Sequence, residues 1–331
     1  MSERGLLQSN QTPGDFRVVR TAFYVLRSTF HVGNRHRPLW AMVILLGACS
    51  GGGTVAETTA STIPERTTFD VPPTTLIETT ATSVPTTTTT MTAPPLGTVR
   101  PDWIGTRFLE LRPDGLGVPQ PTPPELVNRR FPSPDLLPPP GGEAFEWTAG
   151  PVPVDVANRS SWREDCPVTL HGLSYLTMSF YGFDGLPHTG EMLVAAEFAE
   201  GVVEAFRRLW QIRFPIEEMR VQDQEEMDAH PTGDGNVTGA FECRPAVGQS
   251  GGWSMHAYGL AVDINPFHNP YLKGEVVAPE LATAYTDRGN VRPGMIFEGD
   301  SAVGAFDEMG WGWGGRWSSA KDWMHFSSNG R

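Results

Sequence analysis

Ser254-Met-His256-Ala-Tyr-Gly259-Leu-Ala261-Val-Asp263-Ile-Asn265-Pro266, followed near the C-terminus by Asp322-Trp-Met-His325-Phe326, supplies two imidazoles and two carboxylates within apolar surroundings. A catalytic zinc takes three protein ligands and leaves a fourth position for water. His256, Asp263 and His325 fill the three positions. Asp322, three residues before the second histidine, is then the carboxylate left over to move protons as a general base. His256 and Asp263 are seven residues apart, an odd number, so a single straight strand would turn them to opposite faces. Gly259 offers the break. It allows His256 to lie on a loop or strand edge while Asp263 sits in a strand over 260–264.

Each residue has a blander reading when taken singly. The chain has eight histidines, and a lone histidine is ordinarily a solvated or hydrogen-bonded side chain. An Asp shortly before Asn-Pro commonly marks a turn. Asp263, however, is embedded in Gly-Leu-Ala-Val-Asp-Ile, where an unpaired buried carboxylate is costly and a cation is a natural partner. Asp322 and His325 are likewise flanked by Trp317, Trp323, Met324 and Phe326. Together the four residues point to a metal site holding one Zn2+ per chain.

The pattern Ser-x-His-x-x-Gly-x-Ala-x-Asp with a later Asp-x-x-His resembles the zinc D-alanyl-D-alanine carboxypeptidases and related peptidoglycan peptidases, which share the hedgehog/DD-peptidase fold. Phe241-Glu-Cys243-Arg244-Pro245 before the first ligand, Asn265-Pro266 after the second, and Gly310-Trp311-Gly-Trp313-Gly-Gly315-Arg-Trp317 before Asp322 extend the likeness to the branch common among actinobacterial cell-wall enzymes. The resemblance spans about 162–326. It implies His256, Asp263 and His325 as zinc ligands, Asp322 as general base, Ser254 as a substrate-positioning residue, and Arg244 as a group that stabilises an oxyanion or holds a substrate carboxylate. A surface salt bridge is the plain alternative for Arg244. Two features depart from the family pattern: the base is Asp where many relatives have Glu, and the glutamine that follows the arginine in some relatives has only Gln249 as a weak counterpart.

The front of the chain suggests where such chemistry takes place. Arg35-His-Arg37 precedes the apolar run Leu39-Trp-Ala-Met-Val-Ile-Leu-Leu-Gly-Ala48, which is too short for a helical membrane span of about 20 residues but suits a signal-peptide core. Leu46-Gly-Ala-Cys49 resembles a lipobox, so Cys49 is expected to become a lipidated N-terminus, with a short buried helix or an ordinary secretory signal as the alternatives. Residues 1–48 therefore read as a lipoprotein signal peptide and 49–95, dominated by Thr and Pro, as a disordered tether. Residues 96–161 read as a Pro-rich arm packed on the catalytic domain, and 162–331 as the zinc peptidase domain.

Besides Cys49 the chain has only Cys166 and Cys243. In an extracytoplasmic compartment they either form one bridge, worth about 4 kcal/mol in the chain-entropy model, or remain two buried thiols. The formal net charge is −13, and loss of residues 1–48 leaves 19 basic against 36 acidic residues. Such a surface repels polyanions, which argues against nucleic acids as partners. The expected partners are peptidoglycan stem peptides, with membrane contact through the anchor alone and a monomeric chain.

The fold expected is α+β, a small antiparallel sheet with flanking helices. Leu176-Thr-Met-Ser-Phe-Tyr-Gly reads as a strand, and Val194, Phe198, Val202, Phe206 and Trp210 fall at helical spacing, predicting a long helix over 190–213. Strands are predicted over 241–244, 260–265 and 323–327, and a helix over 301–309 capped by Asp300 and closed by Gly310. His188, with Glu191, reads as a cap at the start of the long helix and His268 as a loop residue. Trp311, Trp313 and Trp317 either wall a cleft or pack the core. The reading that joins these features is hydrolysis of a stem-peptide bond by a D-alanyl-D-alanine carboxypeptidase. The rivals are an endopeptidase acting on an L-alanyl-D-glutamate or crossbridge bond, and a non-catalytic wall-binding module with structural zinc.

Overall fold

In chain order the elements are α1 (Pro124–Val127), β1 (Trp147–Pro151), α2 (Val154–Asn158), β2 (Leu173–Tyr181), β3 (Pro187–Ala195), α3 (Ala199–Gln211), β4 (Glu218–Met219), α4 (Gln224–Met227), β5 (Val237–Thr238), β6 (Ala261–Asp263), β7 (Tyr271–Lys273), β8 (Val276–Ala278), α5 (Ser301–Glu308), β9 (Gly312–Trp313), β10 (Lys321–Asp322) and β11 (His325–Ser327). They belong to a computed structural model that describes residues 95–246 and 251–331. The signal-peptide and tether readings, Cys49 and Gln249 lie outside the described residues. Among those residues no helix is long and apolar enough to cross a membrane.

The mixture of helices and short antiparallel strands is compatible with the α+β expectation. Three three-stranded antiparallel sheets form, ordered β1-β2-β3, β10-β7-β8 and β6-β11-β9, and β4 pairs with β5 in parallel. Strands β2 and β3 make the longest ladder, from Leu173 opposite Ala195 to Tyr181 opposite Pro187. Helix α3 buries Val202, Val203, Phe206, Leu209 and Trp210 and packs against β2 and α5. Each such side chain contributes about 1.5–3 kcal/mol on burial, so this face sets the main core. Phe306 of α5 stacks on Phe326 of β11 at 4.2 Å, which ties the β6-β11-β9 sheet to that core.

Several boundaries differ from the sequence reading, each for an identifiable reason. The helix predicted over 190–213 begins only at Ala199, because residues up to Ala195 are strand β3. Gly190 to Ala195 are all buried, so β3 shows no polar alternation and its apolar residues mimic a helical stripe. His188 consequently stands on a strand, between Asp135 and Asp184, instead of capping a helix. Glu191 faces Arg159 and Tyr175. The segment 241–244 is not a strand; its backbone bonds to Leu193 and His256 in single contacts. The strand predicted over 260–265 contracts to β6. That over 323–327 contracts to β11, because Lys321 and Asp322 pair instead with β7 in a different sheet.

The boundary drawn at 161/162 runs through one sheet, since β1 pairs with β2. The arm also supplies Leu109, Leu126 and Phe131 to a second apolar cluster with Phe267, Leu281 and Tyr285. Arg129 is buried and grips Glu217 through two bonds of 2.7 Å, while Asn236 donates to the same carboxylate. A buried ion pair that is this fully hydrogen-bonded is costly to break from either side, which makes the arm part of the fold.

Candidate metal centre

The chain enters the centre through a 3-10 turn, Met255–Tyr258, that carries His256. Ser254 caps it, its hydroxyl accepting from the His256 N–H at 3.3 Å. Gly259 ends the turn at φ +69°, a left-handed conformation in which glycine carries no side-chain penalty. A Cβ there would also lie 2.5 Å from the Ala195 nitrogen, so the turn sits directly on β3. This is the bend that the odd spacing of His256 and Asp263 requires.

Asp263 lies on β6 directly opposite His325 on β11. Opposed residues in an antiparallel pair share a face, so both side chains project beside the turn bearing His256. Asp263 Oδ1 is 3.0 Å from His325 Nδ1, Asp263 Oδ2 is 3.3 Å from His256 Nε2, and the two ring nitrogens are 3.2 Å apart. Zinc ligand distances near 2.0–2.2 Å in a tetrahedral set put donor atoms roughly 3.3 Å from each other. The three side chains thus have the spacing of a zinc ligand set, and no other such cluster occurs among the described residues.

Proton placement agrees with that fit. His256 Nδ1 faces the carbonyl of Ala240, which can only accept, so Nδ1 carries hydrogen and Nε2 is the nitrogen turned toward the centre. His325 Nε2 faces the carbonyl of Arg331, leaving Nδ1 as its inward nitrogen. Burial opposes charge on His256, but Asp263 more than offsets it and raises the imidazole to about 9. Burial likewise works against ionised Asp263, yet His256 and His325 hold its carboxyl below the usual range. Without a cation, a proton shared among these groups fills the role that a metal takes more fully.

Asp322 stands apart from this set. Its Oδ1 is buried and has no hydrogen-bond partner among the described residues. Burial, with the charge of Asp263 adding to it, pushes the carboxyl up to about 7 even though the two histidines and Arg244 pull the other way. Two neighbours received no role in the sequence reading. Tyr271 lies opposite Asp322 across β7 and β10, and Gly314 approaches so closely that a Cβ would meet the Asp322 carbonyl oxygen at 2.6 Å. The glycine-tryptophan run was visible in sequence, but only the packing shows which glycine is needed.

Arg244 donates through Nε to Glu242 at 2.6 Å. Burial works against its charge, yet Glu242, Asp263 and Asp322 together raise its pKa. Glu242, the neighbour of Cys243, also received no sequence role; its position two residues before Arg244 was the available signal. Cys166 and Cys243 are bridged, with Cα atoms 5.8 Å apart, which fixes the segment that holds Arg244. Trp311 and Trp313 are buried in the core, whereas Trp317 is half-buried with its ring 5.6 Å from that of His325. His188 is held elsewhere by Asp135 and Asp184. His268 is buried, stacked on Phe183 and bonded to the Arg129 carbonyl, with burial lowering its pKa to about 4. Neither belongs to the centre.

A family model described as D-alanyl-D-alanine carboxypeptidase matches residues 247–328, the stretch that contains His256, Asp263, Asp322 and His325 and stops short of half the chain. This match supports a metallopeptidase. Among curated proteins and among solved structures no match to the chain is found.

Proposed function

We propose that this protein hydrolyses peptide bonds in peptidoglycan stem peptides as a zinc-dependent D-alanyl-D-alanine carboxypeptidase. The observation that carries the reading is Asp322: a half-buried carboxylate whose Oδ1 is buried and has no hydrogen-bond partner among the described residues, electrostatically linked to all three candidate ligands. A structural zinc site has no use for such a group, which weighs against a non-catalytic wall-binding module.

His256 Nε2, Asp263 and His325 Nδ1 would hold the zinc. Bound there, zinc supplies a Lewis acid that lowers the pKa of water to about 7. Asp322 then accepts the proton of the attacking water and returns it to the departing amine. Arg244 directs N–H donors toward the charge that develops on the scissile carbonyl oxygen. Ser254 acts through the turn, orienting His256 by its cap.

A second reading, endopeptidase cleavage within the stem or a crossbridge, is favoured by one observation. Were Arg244 to anchor a terminal carboxylate as well as face the scissile carbonyl, its charge would be shared with Glu242, which already takes its Nε. Incubation with defined muropeptides and mass analysis of products separates the readings: released D-alanine supports the first and internal fragments the second. Zinc content measured on the same sample completes the test, because stoichiometric zinc with no cleavage of any stem peptide would overturn both.

We also propose, from sequence alone, that the chain is exported and anchored through Cys49 to the outer face of the cytoplasmic membrane, with 49–95 as a tether toward the wall. Metabolic labelling with a fatty acid, lost in a Cys49→Ser variant, is the test.

A further inference from the structure

Resting on the peptidase reading of this centre, we propose that Glu242 is its specificity-determining residue, setting by its charge whether Arg244 accepts a free substrate carboxylate or a neutral carbonyl. Glu242 is tied to the centre at two points. Its backbone N–H donates to the carbonyl of His256 at 3.3 Å, and its carboxylate accepts from Arg244 Nε at 2.6 Å. Its side chain is only 13% exposed and that of Arg244 30%, so the pair is partly shielded from solvent. The backbone that carries both is fixed by the buried Cys243 bridge and by the bond from Ser254 N–H to the Arg244 carbonyl.

Geometry gives the pair its selectivity. A guanidinium can meet a carboxylate side-on, through Nε and one Nη, or end-on through both Nη groups. Glu242 occupies the Nε edge, and among the described residues no acceptor reaches either Nη. Among the described residues the end-on fork is open to a ligand, but it belongs to an ion pair with Glu242. A neutral carbonyl needs only the N–H donors, while a carboxylate gains most from an uncompensated cation and is repelled by Glu242. The choice between the carboxypeptidase and endopeptidase readings thereby becomes a property of one side chain.

The test uses a matched pair of D-alanyl-D-alanine peptides that end in a carboxylate or a carboxamide. The zinc-loaded full chain is compared with Glu242→Gln and Glu242→Asp variants. Glu242→Gln keeps an acceptor for Arg244 but removes the charge. It is expected to raise the carboxylate-to-carboxamide ratio of kcat/KM by about tenfold, the scale of one charge-assisted hydrogen bond, with zinc stoichiometry unchanged. Glu242→Asp is expected to keep the ratio close to that of the parent chain. An unchanged ratio in Glu242→Gln, or equal loss on both peptides as for a mere structural strut, would overturn the proposal. Calorimetric Kd values for the two peptides in an Asp322→Asn background, with and without Glu242→Gln, give the same ratio without turnover. If no zinc-loaded form cleaves either peptide, the peptidase reading fails, and the Kd ratio alone decides the role of Glu242.

Discussion

The metal triad and the pair Asp322 and Arg244 occupy one centre but are built differently. Asp263 and His325 are direct partners across a two-strand ladder, and His256 arrives on a capped turn only a few residues away in sequence. Asp322 comes from a different sheet, and Arg244 from an irregular segment held by a disulfide and single backbone bonds. One strand register therefore sets two of the candidate ligands, whereas a second sheet and an irregular segment set the groups proposed to move protons and stabilise charge. Metal binding and turnover should be separable by mutation, and the following outcomes test that.

The largest effect is expected from Asp263→Ala, which removes one of three candidate ligands. Zinc content by atomic spectroscopy should fall to background and turnover should vanish; stoichiometric zinc in this variant would break the triad assignment. Arg244→Ala should keep zinc while kcat falls on the order of 10²–10³, the scale for losing one preorganised oxyanion donor. Equal loss of zinc and turnover would erase the distinction between the two halves.

Cys166→Ser should lower stability by about 2–5 kcal/mol in denaturant unfolding, as removal of a native disulfide does in small exported domains. Because the bridge supports the Arg244 segment and not the ladder, zinc stoichiometry should survive below the unfolding transition while kcat falls. A variant that loses zinc first would show that the two regions are not independent.

The smallest effect concerns pH in metal-free protein. His256 is raised from an ordinary 6.5 to about 9, so the stability it brings is complete below 6.5 and is lost as pH climbs toward 9. Asp263 is depressed below its ordinary 3.8, so its contribution is complete above 3.8 and is lost as pH falls further. Melting of chelator-treated protein should decline by a few degrees between pH 6.5 and 9, on the order expected for 1 kcal/mol. Zinc should reverse the decline, since it takes the place of the His256 proton. A flat or rising Tm over that interval would contradict the shared-proton picture.

The same contrast governs what was legible in the sequence. His256, Asp263 and His325 could be picked out as candidates because each sits in a short motif with apolar flanks and the bend at Gly259 is local; the pairing that sets His325 opposite Asp263 shows only in the fold. The fold class was legible for a similar reason, in the apolar face of α3 and the capped helix α5. The 190–195 strand was not, because a strand buried on both faces loses its alternation and Val194 falls into register with the helix that follows. Glu242, Tyr271 and Gly314 were missed because their meaning depends on what lies beside them in space: an arginine fork, a strand from another sheet, a carbonyl within 2.6 Å of a Cβ that is not there. How the arm packs was not legible because Arg129 finds its carboxylate partner, Glu217, only in the folded chain.

Zinc content and hydrolysis of a D-alanyl-D-alanine peptide, measured together on one preparation of Asp322→Asn, test the central claim most directly. The substitution preserves shape and removes the charge that accepts a proton. One zinc per chain with turnover reduced on the order of 10²–10⁴ is the predicted result. Turnover within a few-fold of the parent chain, or zinc lost together with activity, would contradict the assignment of Asp322 as the base beside an independent metal triad.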